Sequence, residues 1–243
     1  MQLLAISGMG EVRPGDDVAA LLVQATSAGG LALGDGDVLV ITSKVVSKSE
    51  GQVVHGRARE DVVAEETRRV VSAWEGPAGR TVIAETRHGF VLAAAGVDAS
   101  NTESGSLVLL PLDPDASARR IRERIAEYTG VNVGVLVSDT MGRPWREGQT
   151  DAAVGAAGVE VLDDLRGTVD ASGQTLEVTI RAVADELCAA ADLVAGKSRG
   201  IGAVLVRGAA DFVRSPGSNG AGARALVRPA EADRFRLGTP EAM

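Results

Sequence analysis

Cysteine and histidine are nearly missing from this chain. The single cysteine, Cys188, excludes an internal disulfide and a cysteine-rich metal centre. It lies in an alanine-rich run of helical periodicity and reads as buried packing, not as a nucleophile. The two histidines, His55 and His88, have no second histidine or cysteine at ligand spacing, which argues against zinc. No apolar run reaches about 18 residues, and the N-terminus lacks the basic and apolar regions of a secretory signal. A cytoplasmic protein without a membrane span is therefore expected. A basic stripe is also lacking: with a formal net charge of -8 and a pI near 4.9, nucleic acid is not an expected partner. Where arginines do cluster, at Arg119, Arg120, Arg122 and Arg124, they read as the solvated face of one helix.

What is present is a chain of 243 residues, 45% hydrophobic, with a mean hydropathy of +0.09. That is enough to bury a substantial core as one large domain or two small ones. Met1 to Ser7 reads as a strand running into a glycine-flanked loop, Gly8 to Asp17, with Asp16 or Asp17 capping a helix from Val18 to about Ala28. Val38 to Thr42 is a second strand. If it continues, Ser43, Val45 and Ser47 face one side and Lys44, Val46 and Lys48 the other. Arg57 to Trp74 carries charges at helical intervals around Val62, Val63, Val70 and Val71, the pattern of a surface helix. Strands are expected over Arg80–Arg87, Ser106–Leu112, Thr175–Arg181 and Ile201–Arg207. Helices are expected from about Ala118 to Tyr128 and from Ala182 to Val194, the latter ended by Gly196. Asp163 to Gln174 suggests a hairpin, and Asp211 to Ala223 a mobile Gly/Ser-rich segment.

The most informative stretch is VGVLVSDTMGRPWREGQTD, Val133 to Asp151. Its apolar run reads as a strand covered on both faces that ends at Ser138, Asp139 and Thr140. A carboxylate beside a hydroxyl at a strand end suits a hard divalent cation, and Asp98 also ends an apolar run. Arg143 and Arg146 follow at once, which suggests an anion, phosphate above all, bridging to the metal. Ser43 and Lys48 after the second strand, and the loop Met9 to Val12, are further candidates for phosphate contact. A turn with a surface salt bridge, or a solvated edge strand, explains the same residues without a ligand. Gly196-Lys197-Ser198 does not complete a P-loop, because it ends a helix where that motif begins one. Together these features suggest nucleotide-dependent transfer or ligation with magnesium or manganese.

Four segments, ITSKVVSK (Ile41 to Lys48), AAAGVDASN (Ala93 to Asn101), SDTMGRPWREGQTDAAVGAAG (Ser138 to Gly158) and ADELCAAADLVAGK (Ala184 to Lys197), resemble the coenzyme F420:L-glutamate ligases. The likeness runs in order along essentially the whole chain. It implies a mixed α/β fold of the F420-0 γ-glutamyl ligase type, forming an intertwined homodimer, with one domain over residues 1–243 and any smaller subdomain in the C-terminal half. It implies a GTP-dependent amide ligase that adds L-glutamate to F420-0 and extends a γ-linked tail through an acyl phosphate. By analogy, Asp98 and Asp139 bind one divalent ion, magnesium or manganese, and Thr140 a second; potassium is a further candidate ion. Met9, Gly10, Glu11, Val12, Ser43, Lys48, Asn101 and Lys197 would contact GTP. No residue announces itself as the base for the glutamate amine; Asp185 and Glu186 are the candidates. Some relatives continue into a flavin-binding domain, so a chain stopping at Met243 is expected to be a stand-alone enzyme or an N-terminal portion. A same-fold ligase for another acid, a nucleotide-binding regulator and a structural subunit are the alternatives.

Overall fold

A computed structural model of the chain describes residues 1–76, 79–99 and 105–233. In chain order these form β1 (Gln2–Ile6), α1 (Val18–Ala28), β2 (Val38–Thr42), α2 (Ser43–Ser49), β3 (Val53–His55), α3 (Arg59–Glu66), β4 (Thr67–Gly76), β5 (Gly79–Thr86) and β6 (Val91–Ala93). The chain continues with β7 (Ser106–Val108), α4 (Pro114–Thr129), β8 (Gly134–Gly142), β9 (Gln149–Ala157), β10 (Asp163–Asp164), β11 (Ile180–Arg181), α5 (Val183–Ala195) and β12 (Ala203–Arg207). This is the mixed α/β architecture expected.

The central sheet has the order β1-β12-β2-β8-β9. Only the β2–β8 pair is parallel; its neighbours are antiparallel. Both faces of the sheet are covered, so its strands are apolar throughout instead of alternating. On one face Leu39, Ile41, Val135, Val137 and Leu205 join the core built with α1 and α4. On the other, Val38, Val40, Leu136, Val204 and Val206 pack with Val183, Leu187 and Cys188 of α5. Cys188 is fully buried there, as its surroundings in sequence suggested. A smaller cluster, with Val62, Val63, Val97 and Leu107, lies under β5 and α3.

The caps at the start of α1 and the end of α5 are as expected, whereas α4 begins at Pro114, before the expected Ala118. Asp17 accepts the Ala20 N–H at the start of α1, and Asp113 accepts the Ala116 N–H at the start of α4, where Pro114 begins the helix. Gly196 closes α5 with its N–H on the Asp192 carbonyl.

Several expectations need correction. Residues 43–49 form a helix, not an extension of β2. The buried residues are Ser43, Val46 and Ser47, a helical i, i+3, i+4 set, and this face outweighs the β-branched pair Val45-Val46. The expected helix over Arg57–Trp74 ends at Glu66, and from Thr67 the chain pairs with β5, where Arg68 and Arg69 both grip Glu85. Strand β8 runs on past Thr140 to Gly142, because β9 pairs with it as far as Gly142 opposite Gln149. Only Ile180–Arg181 of the strand expected over 175–181 is regular.

Arg122 is not part of a solvated face. It is 5% exposed, and its guanidinium donates to the carbonyls of Val133, Ser218, Arg214 and Ser215 and to the side chains of Asn132 and Asn219. The segment expected to be mobile is thereby pinned, with Arg214 N–H and Gly158 N–H adding backbone bonds to Gly158 and Asn219. The small residues after Asp151 serve close packing within the chain. A Cβ on Gly155 would lie 2.4 Å from the Pro114 carbonyl oxygen, so α4 rests directly on the backbone of β9.

Candidate functional site

The site forms where β2 and β8, side by side and parallel, part company. Thr42 is the last residue of β2 and pairs with Ser138; beyond it the chain turns into α2 while β8 continues with β9. Parallel neighbours whose chains diverge at their C-terminal ends leave a crevice there, the usual ligand position in such sheets. Because side chains alternate along β8, Asp139 falls on the α2 side of the sheet, and Ser138 and Thr140 on the α5 side.

On the α2 side, Ser43 Oγ, at the first residue of α2, donates to Asp139 Oδ1 at 2.9 Å. The Asp139 carboxylate keeps an opening to solvent but is otherwise packed in protein. Burial, followed by the negative charges of Asp151 and Asp98, pushes its pKa up to about 6, against the opposing hydrogen bonds from Ser43 and the Thr140 N–H. Asp98 reaches the same corner through Lys44, the residue that follows Ser43. It is carried by the turn 94–96, in which Ala94 and Ala95 both have positive φ, at 50° and 51°. That backbone costs on the order of 1 kcal/mol at each residue and is held by burial of both alanines. Asp98 also pairs through its backbone with Val108 and through its carboxylate with Lys44 Nζ, at 2.8 Å.

Lys48, one turn further along α2, reaches Glu11 at 2.6 Å and so ties the Met9–Val12 loop to the same corner. Gly8 and Gly10 take positive φ, which permits the loop's tight course. Met9 packs against the core, Gly10 and Glu11 are exposed, and the Val12 side chain is buried. Asn101 lies outside the described residues.

The α5 side holds a residue to which sequence reasoning gave no role. Asp151 of β9 is 8% exposed and accepts hydrogen bonds from Ser138 Oγ at 3.0 Å and Thr140 Oγ1 at 2.8 Å. Lys197 Nζ lies 2.8 Å from the Asp151 carboxylate, 3.0 Å from Asp192 and 2.6 Å from Thr140 Oγ1. Burial works against the Lys197 charge, but Asp151 and Asp192 prevail and raise its pKa. The signal for Asp151 was the hairpin itself: with β8 and β9 paired through Gly142 and Gln149, Asp151 comes opposite Thr140. Asp185 donates nothing and accepts the Ala153 N–H at 2.9 Å, a cap on β9. Arg143 and Arg146 are both exposed in the turn between the strands, with Arg143 held by the Glu147 carbonyl and Trp145 at a φ of 61° between them.

The structure thus gathers Ser43, Lys44, Asp98 and Asp139 on one side of β8, and Thr140, Asp151, Asp192 and Lys197 on the other. Among the described residues, no three carboxylate, imidazole or thiol groups close on a single point as a ready metal cage. The oxygens of Asp98 and Asp139, with hydroxyls beside them, are the groups that can hold a hard cation.

Comparison with known proteins bears on what this arrangement is for. A family described as F420-0:Gamma-glutamyl ligase matches the chain over residues 8–60 and 57–208. The coenzyme F420:L-glutamate ligase of Methanothermobacter thermautotrophicus is 41% identical, covering 97% of this chain and 99% of its own length. The enzyme of the same name from Methanopyrus kandleri is 41% identical over 93% of this chain and 94% of its own. That from Haloarcula marismortui is 38% identical over 97% and 96%.

Proposed function

The chain belongs to the F420-0:gamma-glutamyl ligase family, and from that premise we propose that it joins L-glutamate to F420-0 in a reaction driven by GTP. The supporting observation is the divided acidic crevice at the end of β8. Asp139 carries a pKa lifted to about 6 by burial and by the charges of Asp151 and Asp98. Lys44 and Lys197 neutralise Asp98 and Asp151, whereas Asp139 accepts from the neutral Ser43 hydroxyl and Thr140 N–H, and a buried carboxylate so placed is costly unless a cation joins it. The oxygen-only donor set fits magnesium or manganese. Asp98 and Asp139 would hold one ion and Thr140, on the other side of β8, a second; the remaining ligands would be phosphate oxygens of the nucleotide.

A free carboxylate is a poor acyl donor. In the proposed reaction the γ-phosphoryl group of GTP passes to the carboxylate of F420-0, giving an acyl phosphate and GDP. The amine of L-glutamate then attacks the acyl carbon, the C–O bond to phosphate breaks, and the amine loses a proton as the amide forms. Bound divalent ions supply charge neutralisation during phosphoryl transfer. Ser43 orients the Asp139 carboxylate, and Lys48 and Lys197 bring ammonium groups to the crevice for the phosphates. The backbone of the Met9–Val12 loop, fixed by Lys48 on Glu11, offers N–H donors to the nucleotide. Repetition on the new γ-carboxylate would extend the tail.

A second copy of the chain is the proposed partner. Strand β4 projects with exposed Val70, Val71 and Trp74, at 53%, 45% and 61% exposure, more apolar surface than a lone ribbon usually leaves in water. Among the described residues no helix is long and apolar enough to cross a membrane.

The test is mass spectrometry of F420-0 incubated with L-glutamate, manganese and either GTP or ATP. One or more added glutamyl units with GTP are expected. No mass change with either nucleotide would sink the proposal, and activity only on another acid would transfer it to a different acceptor.

A further inference from the structure

The α5 side of the crevice contains a hydrogen-bond arrangement that fixes where protons point. A carboxylate only accepts, so both oxygens of Asp151 must be met by donors. Oδ2 takes the Ser138 hydroxyl proton and Oδ1 that of Thr140. Once the Thr140 proton is committed to Asp151, the lone pairs of Oγ1 are left for a cation. The Lys197 ammonium, which has donors and no acceptor, stands 2.6 Å from that oxygen. It is also steadied by Asp151 and Asp192. A Thr140 hydroxyl free to rotate would as readily present its proton to the crevice and repel a cation.

From this we infer that Asp151 is a positioning residue, which turns the Thr140 hydroxyl into a permanent acceptor, and that Lys197 is a built-in cation occupying that acceptor until a divalent ion takes its place. The inference rests on the proposed ligase reaction for its consequence but not for its geometry. The Lys197 ammonium, exposed just beyond the Gly196 cap of α5, would then be available to the phosphates. Asp151 touches no reacting atom in this scheme; it acts through Thr140 and Lys197.

Opposite effects of two substitutions on manganese affinity provide the test, read by electron paramagnetic resonance of free manganese in the absence of nucleotide, so that any contact of Lys197 with phosphate does not enter the result. Asp151→Asn, whose amide can no longer accept from both hydroxyls, is expected to weaken manganese binding about 10-fold. Lys197→Met, which removes the competing ammonium, is expected to strengthen it several-fold. Turnover should fall in both, and the double variant should lose less than the product of the single losses, because the two residues act together. A purely structural Asp151 would lower the melting temperature without moving manganese affinity. Unchanged affinity in Asp151→Asn, weaker affinity in Lys197→Met, or strictly multiplicative losses would each overturn the inference. If Asp151→Asn does not fold, Thr140→Val takes its place: it must weaken manganese binding, and Lys197→Met added to it must no longer strengthen it. A wild-type protein that binds manganese but never transfers glutamate defeats the functional proposal alone; an active wild type with the wrong affinity pattern defeats only this inference.

Discussion

Asp139 shows what a site costs the fold that carries it. Its pKa rises from the usual 3.8 to about 6 on folding, so the folded chain binds a proton more tightly than the unfolded chain does. Above pH 6 this group destabilises the ion-free protein, by at most about 3 kcal/mol and by less because its carboxylate keeps some solvent. The penalty shrinks as the pH falls from 6 towards 4. Asp139→Asn is therefore expected to melt several degrees above the wild type in chelator at pH 7.5, with the two curves converging near pH 4. Adding manganese should reverse the order, since only the aspartate gains from the ion. A melting temperature in chelator equal to that of the wild type at every pH would count against the proposed strain.

Arg122 is the structural counterpart at the same scale. Its buried guanidinium serves carbonyls from two separate segments, at Val133 and at Arg214, Ser215 and Ser218. Arg122→Met keeps much of the volume and leaves those acceptors unpaired. A loss of about 3 kcal/mol or more is expected in urea denaturation. Proteolysis should then begin between residues 211 and 223, the segment that this arginine ties down.

At the scale of elements, α4 approaches β9 closely beside the end of β8, where Gly155 pairs with Val137, two residues before Asp139. The Gly155 backbone lies against the Pro114 carbonyl, and the shift in pairing between Val137 and Ser138 occurs beside it. Gly155→Ala places a methyl group against backbone that cannot rotate away. We expect a cost of about 2–3 kcal/mol. We also expect weaker nucleotide binding, because the same shift in pairing sets how β8 presents Asp139 and Thr140. Nucleotide titration beside thermal melting separates the two effects. Helix α2 belongs to this scale too: seven residues long, it brings Ser43 to Asp139, Lys44 to Asp98 and Lys48 to Glu11.

At the scale of the whole molecule, β4, β5 and β6 form a sheet of their own, in which Leu92 of β6 joins the main core, Ala84 of β5 joins the small one, and β4 leaves apolar side chains exposed. If Val70, Val71 and Trp74 meet a second copy, Val71→Asp with Trp74→Asp should convert a dimer to a monomer in light scattering. The crevice chemistry of each monomer should respond only as far as it depends on the pairing. A wild type that is monomeric at micromolar concentration would remove the ribbon's proposed role.

The sequence by itself determined the parts whose causes are local or periodic: the buried strands β2, β8 and β12, the caps of α1 and α5, the packing of Cys188, and the family, through motifs spread along the chain. Only the tertiary structure decided the rest. Ser43 to Ser49 is helical because three of its side chains find a buried face, and Thr67 to Gly76 is extended because β5 is there to pair with it. Arg122 is buried because distant carbonyls converge on it. Asp151 enters the site only once β8 and β9 are in register. Each of these depends on groups far apart in the chain, and a residue's nearest neighbours in sequence carry no record of what will be brought against it in space.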